Sequence, residues 1–180
     1  MDNIIIILIV ACMVIISYVI FIFNGKYSYN QWWFGLNRTS LFNIPFLYWF
    51  AVTSFLAAVG FVYVMWYYKA KLEDELTEKQ YDKIRTEIVI ALVASVIWTP
   101  AVYYSLKYKQ YKNTKHFFKT LAMLSLGVTA GASTAAAYFI NDYSQSSTYK
   151  TIALVAYSLF IFHTGIVDFG LWNVFYYNNL

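Results

Sequence analysis

Residues 151–177 read TIALVAYSLFIFHTGIVDFGLWNVFYY, and this last long apolar run decides the class of the fold. A helix needs about 20 mainly apolar residues to cross the hydrocarbon core of a bilayer, so the run is long enough to span a membrane. Two ionisable residues, His163 and Asp168, lie inside it. Because an ionisable group in hydrocarbon is costly unless it is paired, these residues are the first candidates for a functional site.

The composition places the whole chain in the same class. Its 180 residues are 61% hydrophobic, 22% aromatic and 12% charged. Soluble domains carry about 25% charged residues, and one core of this size could not bury so much apolar surface. The sequence therefore predicts an all-α integral membrane protein whose outer helix faces are covered by lipid. The length allows a single membrane domain over residues 1–180 and no separate soluble module.

The apolar runs predict five transmembrane helices packed as a bundle. The first run lacks a basic flank and a small-residue cleavage site, so we expect it to be a retained anchor and not a signal peptide. An odd number of spans places the two termini on opposite sides of the membrane. The predicted spans are residues 3–23, 45–68, 87–108, 120–140 and 151–175.

Two of the connections have a distinctive composition. The connection at residues 24–44 carries Trp32, Trp33 and Phe34, whose rings are typical of an interfacial aromatic belt. The stretch at residues 69–86 mixes acidic and basic residues with apolar ones at helical spacing. We expect it to be a solvated helical extension of the second or third span, with a partner-docking helix as the alternative.

The connection between the third and fourth spans is purely basic. A short basic hairpin is expected to contact anionic lipid headgroups or an acidic partner. Nucleic acid is not expected as a ligand, although basic residues interleaved with aromatic ones also suit single strands. The lysines of this connection are Lys107, Lys109, Lys112, Lys115 and Lys119.

The orientation is weakly determined by charge. The two sides of the predicted bundle carry nearly equal numbers of Lys and Arg, so the positive-inside rule does not decide between them. Asp2 precedes the first span and Lys26 follows it. This difference favours an N-terminus outside and a C-terminus in the cytoplasm.

Two patterns predict how the spans pack. Gly127, Gly131 and Ala135 place small residues on one face of the fourth span, which is typical of close helix contacts. We expect this face to pack inside the protein, although packing against another copy fits the pattern equally. Pro100, beside Trp98 in the third span, predicts a kink that serves either packing or gating.

His163 and Asp168 are five residues apart. In an α-helix this spacing corresponds to a rotation of about 140°, so we expect them to face different neighbours and to need partners from other helices. Asp168 would share its face with Thr164 and Trp172. The two residues are then either hydrogen-bonded links between helices or members of a proton or ion pathway, and a catalytic dyad is not expected.

No metal or cofactor site is predicted. Cys12 is the single cysteine, and His116 and His163 are far apart in the chain, so zinc-ligand spacing is absent. The predicted spans contain no central lysine for a retinal Schiff base, and one histidine alone is weak support for haem.

Two stretches of the chain resemble a known group of proteins. Residues 95–104, SVIWTPAVYY, and residues 160–177, FIFHTGIVDFGLWNVFYY, resemble uncharacterised multi-pass membrane proteins of large DNA viruses of algae and other protists. The resemblance covers the third to fifth spans. It implies an internal virion membrane or the host membrane from which that membrane derives, and it implies no biochemical activity. The matching positions are Trp98, Pro100, His163, Asp168 and Trp172.

These observations favour a non-enzymatic structural component of a viral internal membrane or envelope. The basic hairpin and the charged stretch 72–85 would contact lipid headgroups or capsid proteins. One alternative is a small ion or proton channel or transporter with Asp168 and His163 in the pathway. Another is an accessory subunit of a larger membrane complex.

Overall fold

The computed structural model describes residues 3–22, 40–41 and 44–172, with the side chains of residues 5–17, 19–21 and 48–170. The described chain is helical apart from two short paired strands, β1 (Ser40–Leu41) and β2 (Ile44–Pro45), which run antiparallel. The all-α prediction is therefore confirmed. The helices are α1 (Asn3–Ile22), α2 (Phe46–Tyr67), α3 (Glu78–Lys107), α4 (Lys112–Tyr143) and α5 (Thr148–Phe162).

Two of the helices continue into π-helix, in which the backbone hydrogen bonds run from residue i to residue i+5. After α2 the chain forms a π-helical turn, Tyr68–Leu72, and a last α-helical turn, Glu73–Glu75. After α5 it forms a ten-residue π-helix, His163–Trp172, which we call the terminal π-helix. The π-helix is rare, and its usual form, a single-turn bulge inside an α-helix, is frequently found at functional sites. The terminal π-helix is longer than one turn; it begins at one predicted site residue, His163, and contains another, Asp168.

The described helices have the length and surface of membrane-spanning segments. Four helical stretches are long and apolar enough to cross a bilayer, and α1 adds a shorter apolar stretch, Ile5–Phe21. Large apolar side chains point outward along the bundle; Ile15 is 64% exposed, and Phe55 and Val62 are each 68% exposed. A surface with so many exposed apolar side chains is suited to lipid and not to water.

Ring contacts define the packing directions of the helices. In α1 the Phe21 ring lies 5.3 Å from the Tyr103 ring of α3, and Ser17 pairs with Thr99 one turn earlier, so α1 and α3 run parallel. In contrast, α2 and α5 run antiparallel. Their paired rings are Phe61 with Phe160 and Trp66 with Tyr149. Each described helix therefore runs opposite to the next one along the chain.

The helices extend beyond the apolar runs that predicted them. The third helix begins at Glu78 and the fourth at Lys112, so only residues 108–111 separate α3 from α4. The predicted basic loop is therefore wrong in part, because its last three lysines lie on the first turns of α4. Hydrophobicity marks where a helix meets lipid, whereas its hydrogen bonds continue wherever the end is capped. At the start of α3, Gln80 Oε1 accepts from the Thr77 backbone N–H at 3.1 Å.

Aromatic side chains close one end of the bundle. The Tyr68 and Tyr81 rings are stacked with centroids 4.2 Å apart, which joins the π-helical turn after α2 to the first turns of α3. Tyr67 is 1% exposed, and its hydroxyl lies 3.4 Å from the Ser144 hydroxyl after α4. The charged stretch that was expected to be a solvated helical extension is indeed helical, and its inner face belongs to the core.

Candidate functional site

His163 and Asp168 are in contact, because the segment between them is π-helical. The His163 Nε2 atom lies 3.5 Å from the Asp168 Oδ1 atom. The expectation that the two residues face different neighbours assumed α-helical geometry and is wrong. In a π-helix the i→i+5 hydrogen bonds bring residue i+5 over residue i. We refer to His163 and Asp168 as the ionisable pair.

Burial along the terminal π-helix follows the same geometry. His163, Thr164, Val167 and Asp168 are all buried, whereas Ile166 between them is 53% exposed. The four buried residues therefore form one continuous face of the segment. The buried face of this segment therefore carries both members of the ionisable pair. The Trp172 backbone belongs to the same segment, and its side chain lies outside the described residues.

Besides Asp168, His163 contacts side chains of α2. The Nδ1 atom lies 3.0 Å from Thr53 Oγ1, and the Nε2 atom lies 3.0 Å from Ser54 Oγ. The Phe50 ring lies 5.0 Å from the imidazole. His163 thus has partners from another helix, as predicted, whereas the described partner of Asp168 lies on its own helix. The adjacent Thr-Ser in an otherwise apolar span is the sequence signal for these two partners, and it was missed.

Both hydroxyls also contact the backbone of α2. Thr53 Oγ1 lies 3.0 Å from the carbonyl oxygens of Trp49 and Phe50, and Ser54 Oγ lies 2.8 Å from the Phe50 oxygen. A hydroxyl has one hydrogen to donate. If that hydrogen goes to a backbone carbonyl, only oxygen lone pairs face the imidazole, and both of its nitrogens must donate. A hydroxyl whose hydrogen points to the ring donates to the imidazole instead, so the two contacts also suit a neutral imidazole in either tautomer.

Small residues bring the helices around the ionisable pair close together. A Cβ atom added to Gly60 would clash with the Ala156 carbonyl oxygen, so α2 and α5 touch backbone to backbone there. On the other side of the terminal π-helix, a Cβ on Gly127 of α4 would lie 3.4 Å from the Phe169 ring. The pair is consequently held between α2 and α4.

Only part of the small-residue face of α4 packs against another helix. Gly127 contacts the terminal π-helix, but a Cβ added to Gly131 would meet nothing within 4 Å. The expectation that Gly131 packs inside the protein is therefore wrong. Ala135 is half-buried on the same helix. Gly131 instead lines an open groove between α4 and α5, because the helices diverge beside the close contact at Gly127.

Trp98 and Pro100 lie away from the contacts of the ionisable pair. Trp98 is 4% exposed within α3, and α3 continues through Pro100 as far as Lys107. This helix packs against α1 and α4, whereas His163 takes its described partners from α2 and from its own helix. The structure therefore does not bring the Trp-x-Pro residues and the ionisable pair into one described site.

Other hydroxyl pairs link neighbouring helices at similar depth. Ser17 Oγ of α1 lies 3.3 Å from Thr99 Oγ1 of α3. The Ser17 hydroxyl is the donor in that link, and it also lies 2.7 Å from the Val14 carbonyl oxygen. Ser95 of α3 lies 3.3 Å from Thr129 of α4. Small polar side chains thus join α1 to α3, α3 to α4, and α2 to the terminal π-helix.

The basic residues between α3 and α4 differ in exposure. Lys107, Lys109 and Lys112 are exposed, and Lys115 is half-buried. Lys119 is only 3% exposed, so its predicted role in contacting lipid headgroups is wrong. It lies on the inner side of α4, which the loop prediction did not take into account. The Lys107 Nζ atom lies 5.6 Å from the Tyr104 ring centre and 5.5 Å from that of Tyr108.

The described residues contain no group of three or more His, Cys, Asp or Glu side chains that could hold a metal ion. Cys12 is exposed on α1. The predicted aromatic belt at Trp32, Trp33 and Phe34 lies outside the described residues. Within the described part of the chain, the ionisable pair and its two hydroxyl partners form the most distinctive polar cluster.

Comparison with known proteins identifies no relative. No protein-family model matches the sequence, and neither a curated protein nor a solved structure matches the chain. The resemblance to viral membrane proteins therefore stays a prediction.

Proposed function

We propose that the chain is an integral membrane protein with five spans that serves as a non-enzymatic structural component of its membrane. One observation carries this proposal: polar side chains in the apolar helices are used to link one helix to another. In the links described above, hydroxyl and imidazole groups that would be costly in hydrocarbon contact a polar group of a neighbouring helix. Such links fix which helix faces meet.

The links cover most of the bundle. They join Ser17 to Thr99, Ser95 to Thr129, and His163 to Thr53 and Ser54. Interhelical hydrogen bonds of this kind contribute about 0.6 kcal/mol on average in a membrane and up to about 1.7 kcal/mol. These four hydrogen bonds, together with the backbone approach at Gly60, favour a single rigid arrangement of helices. That rigidity suits a scaffold.

The exposed lysines at the turn between α3 and α4 support contact with a charged layer. Lys107, Lys109 and Lys112 extend from the same end of the bundle, and residues 105–120 contain no acidic residue. Each cation near an anionic lipid surface is attracted by about 1 kcal/mol. We therefore propose anionic headgroups as the ligand of this turn.

The proposal of a viral membrane rests on the resemblance of the third to fifth spans alone. It is tested by mass spectrometry of purified particles. The protein should be found there at the copy number of a structural component. Its absence from particles that contain the other membrane proteins would remove the viral assignment and leave the scaffold proposal standing.

The ionisable pair favours a second candidate, a proton or ion pathway, because histidine and aspartate are the residue types that membrane relays use. The two candidates are separated by reconstituting the purified chain in liposomes and measuring proton and potassium flux. A scaffold leaks no more than empty liposomes. Flux above that level that disappears in the Asp168→Asn variant would contradict the scaffold proposal and support the pathway.

A further inference from the structure

The ionisable pair is isolated from every other charged side chain of the helices that pack around it. The helix α2 has no Asp, Glu, Lys, Arg or His, and α4 has none between Lys119 and Asp142. Before the pair, the preceding charged residue on its own helix is Lys150, and Tyr157 is the titratable group between them. The groups that α2 presents to the pair are the two hydroxyls and the Phe50 ring. Within the described part of the chain these helices bring no third charged side chain to the pair, so a charge on one member is balanced by the other.

This isolation limits the number of protons that the pair can hold. A neutral imidazole beside an ionised carboxylate leaves one unbalanced negative charge, and an imidazolium beside a carboxylic acid leaves one positive charge. Both are costly where water is excluded. If the imidazole–carboxylate state gains one proton, the pair becomes neutral. It is then either an imidazolium beside a carboxylate, with the proton on Nε2, or an imidazole beside a carboxylic acid, with the proton on Oδ1. The single-proton state is therefore favoured.

The contact that holds this proton depends on the backbone. An α-helix would turn Asp168 about 140° away from His163, whereas the π-helix brings the two together at 3.5 Å. His163 is fixed from outside by its two hydrogen bonds to α2. Because long π-helices are less favourable than α-helices, ten residues in this form require an interaction that only the π register supplies. The contact between His163 and Asp168 is such an interaction.

We propose that His163 and Asp168 form a binding site for a single proton, and that the bound proton holds the terminal π-helix in its π geometry. Release of the proton to the aqueous phase leaves an imidazole and an unpaired carboxylate. The carboxylate charge is then no longer balanced by an imidazolium or a proton, the attraction between the two side chains weakens, and the segment rewinds to α-helix. The inference goes beyond the scaffold role, since it makes one segment of the bundle responsive to pH.

The proton count is measured first, on the wild-type chain in lipid nanodiscs near neutral pH. NMR of isotope-labelled histidine reports the protonation of both ring nitrogens, and infrared spectroscopy reports a protonated carboxyl group. The second histidine, His116, is exposed on α4 and serves as an internal control. We expect either a His163 imidazolium or an Asp168 carboxylic acid. A neutral His163 together with an ionised Asp168 would overturn the proposal.

The geometry is measured next by nuclear Overhauser contacts in the same sample. The contact between Gly127 and the Phe169 ring reports the register of the terminal π-helix, and the Phe61–Phe160 ring contact within the α-helical part is the control. As pH rises and the pair loses its proton, the first contact should be lost and the second retained. If the Gly127–Phe169 contact persists through deprotonation, the proton does not hold the segment.

A variant separates the proton from simple packing. Asp168→Asn keeps the size of the side chain and offers His163 a neutral hydrogen-bond partner, so the Gly127–Phe169 contact should survive at every pH. Loss of the contact over the same pH range as in the wild type would assign the response to another group. If the variant does not fold, the two wild-type measurements still decide the proposal. The scaffold proposal is tested by liposome flux, which does not depend on the proton count, the wild-type contacts or the contacts of the variant. Failure of the scaffold proposal can therefore be distinguished from failure of the proton-site proposal.

Discussion

At the scale of single residues, the approach of α2 to α5 depends on the absence of one Cβ atom. Gly60 lies against the Ala156 carbonyl oxygen, which is part of a helical backbone and cannot move aside like a flexible side chain. The same helix, α2, carries Thr53 and Ser54 about two turns earlier, and their hydroxyls contact His163.

We expect Gly60→Ala to lower the free energy of unfolding by about 1–3 kcal/mol, the usual cost of forcing extra volume into a packed contact. The measurement is unfolding of the purified chain in bicelles. Gly131→Ala is the matched control, because its added Cβ meets nothing within 4 Å. That variant should be neutral or slightly more stable, since alanine favours helix over glycine by about 1 kcal/mol. Equal losses in the two variants would contradict the close approach.

Removal of the Ser54 hydroxyl tests the link between α2 and the terminal π-helix. Ser54→Ala leaves the His163 Nε2 atom without its α2 partner, so stability should fall by about 0.6–2 kcal/mol. Ser158→Ala is the control, because the Ser158 hydroxyl is exposed and bonds only the Leu154 carbonyl of its own helix. If both variants lose the same stability in bicelles, the hydroxyl of Ser54 makes no interhelical contribution.

At the scale of elements, the apolar runs predicted the helices well and their ends poorly. Transfer of apolar residues to lipid depends on composition, which a sequence displays directly. The end of a helix depends instead on local hydrogen bonds such as the Thr77–Gln80 pair, which allow α3 to begin at Glu78. The π-helix could not be predicted for a further reason. Hydrophobic periodicity assumes α-helical rotation, and the contacts that accompany the π-helix, those of His163 with α2 and with Asp168, are visible only in the folded chain.

The start of α3 provides a prediction at this scale. Gln80→Ala removes the acceptor for the Thr77 backbone N–H and the Thr77 hydroxyl. The loss of such a cap costs about 0.5–2 kcal/mol, and hydrogen exchange of the amides in the first turn of α3 should accelerate. Lys79→Ala, one position earlier on the exposed face, should leave these amides unchanged. Unchanged exchange in Gln80→Ala would show that the cap does not set the helix start.

At the scale of the whole molecule, the alternating directions of the helices divide the connections between two ends of the bundle. The turn at residues 108–111 lies at one end, and the turns at residues 76–77 and 144–147 lie at the other. The first carries exposed lysines without acidic neighbours. Because anionic lipids are enriched on the cytoplasmic leaflet, the proposed contact with anionic headgroups predicts that this turn lies in the cytoplasm.

The central claim, a five-span bundle that crosses a membrane, is tested most directly by cysteine accessibility in sealed vesicles. Cys12 is first replaced by serine, and Lys109→Cys and Gln145→Cys are then introduced one at a time at exposed positions. A membrane-impermeant thiol reagent should label Lys109→Cys from the cytoplasmic face and Gln145→Cys from the opposite face. Labelling of both variants from the same face would contradict the account.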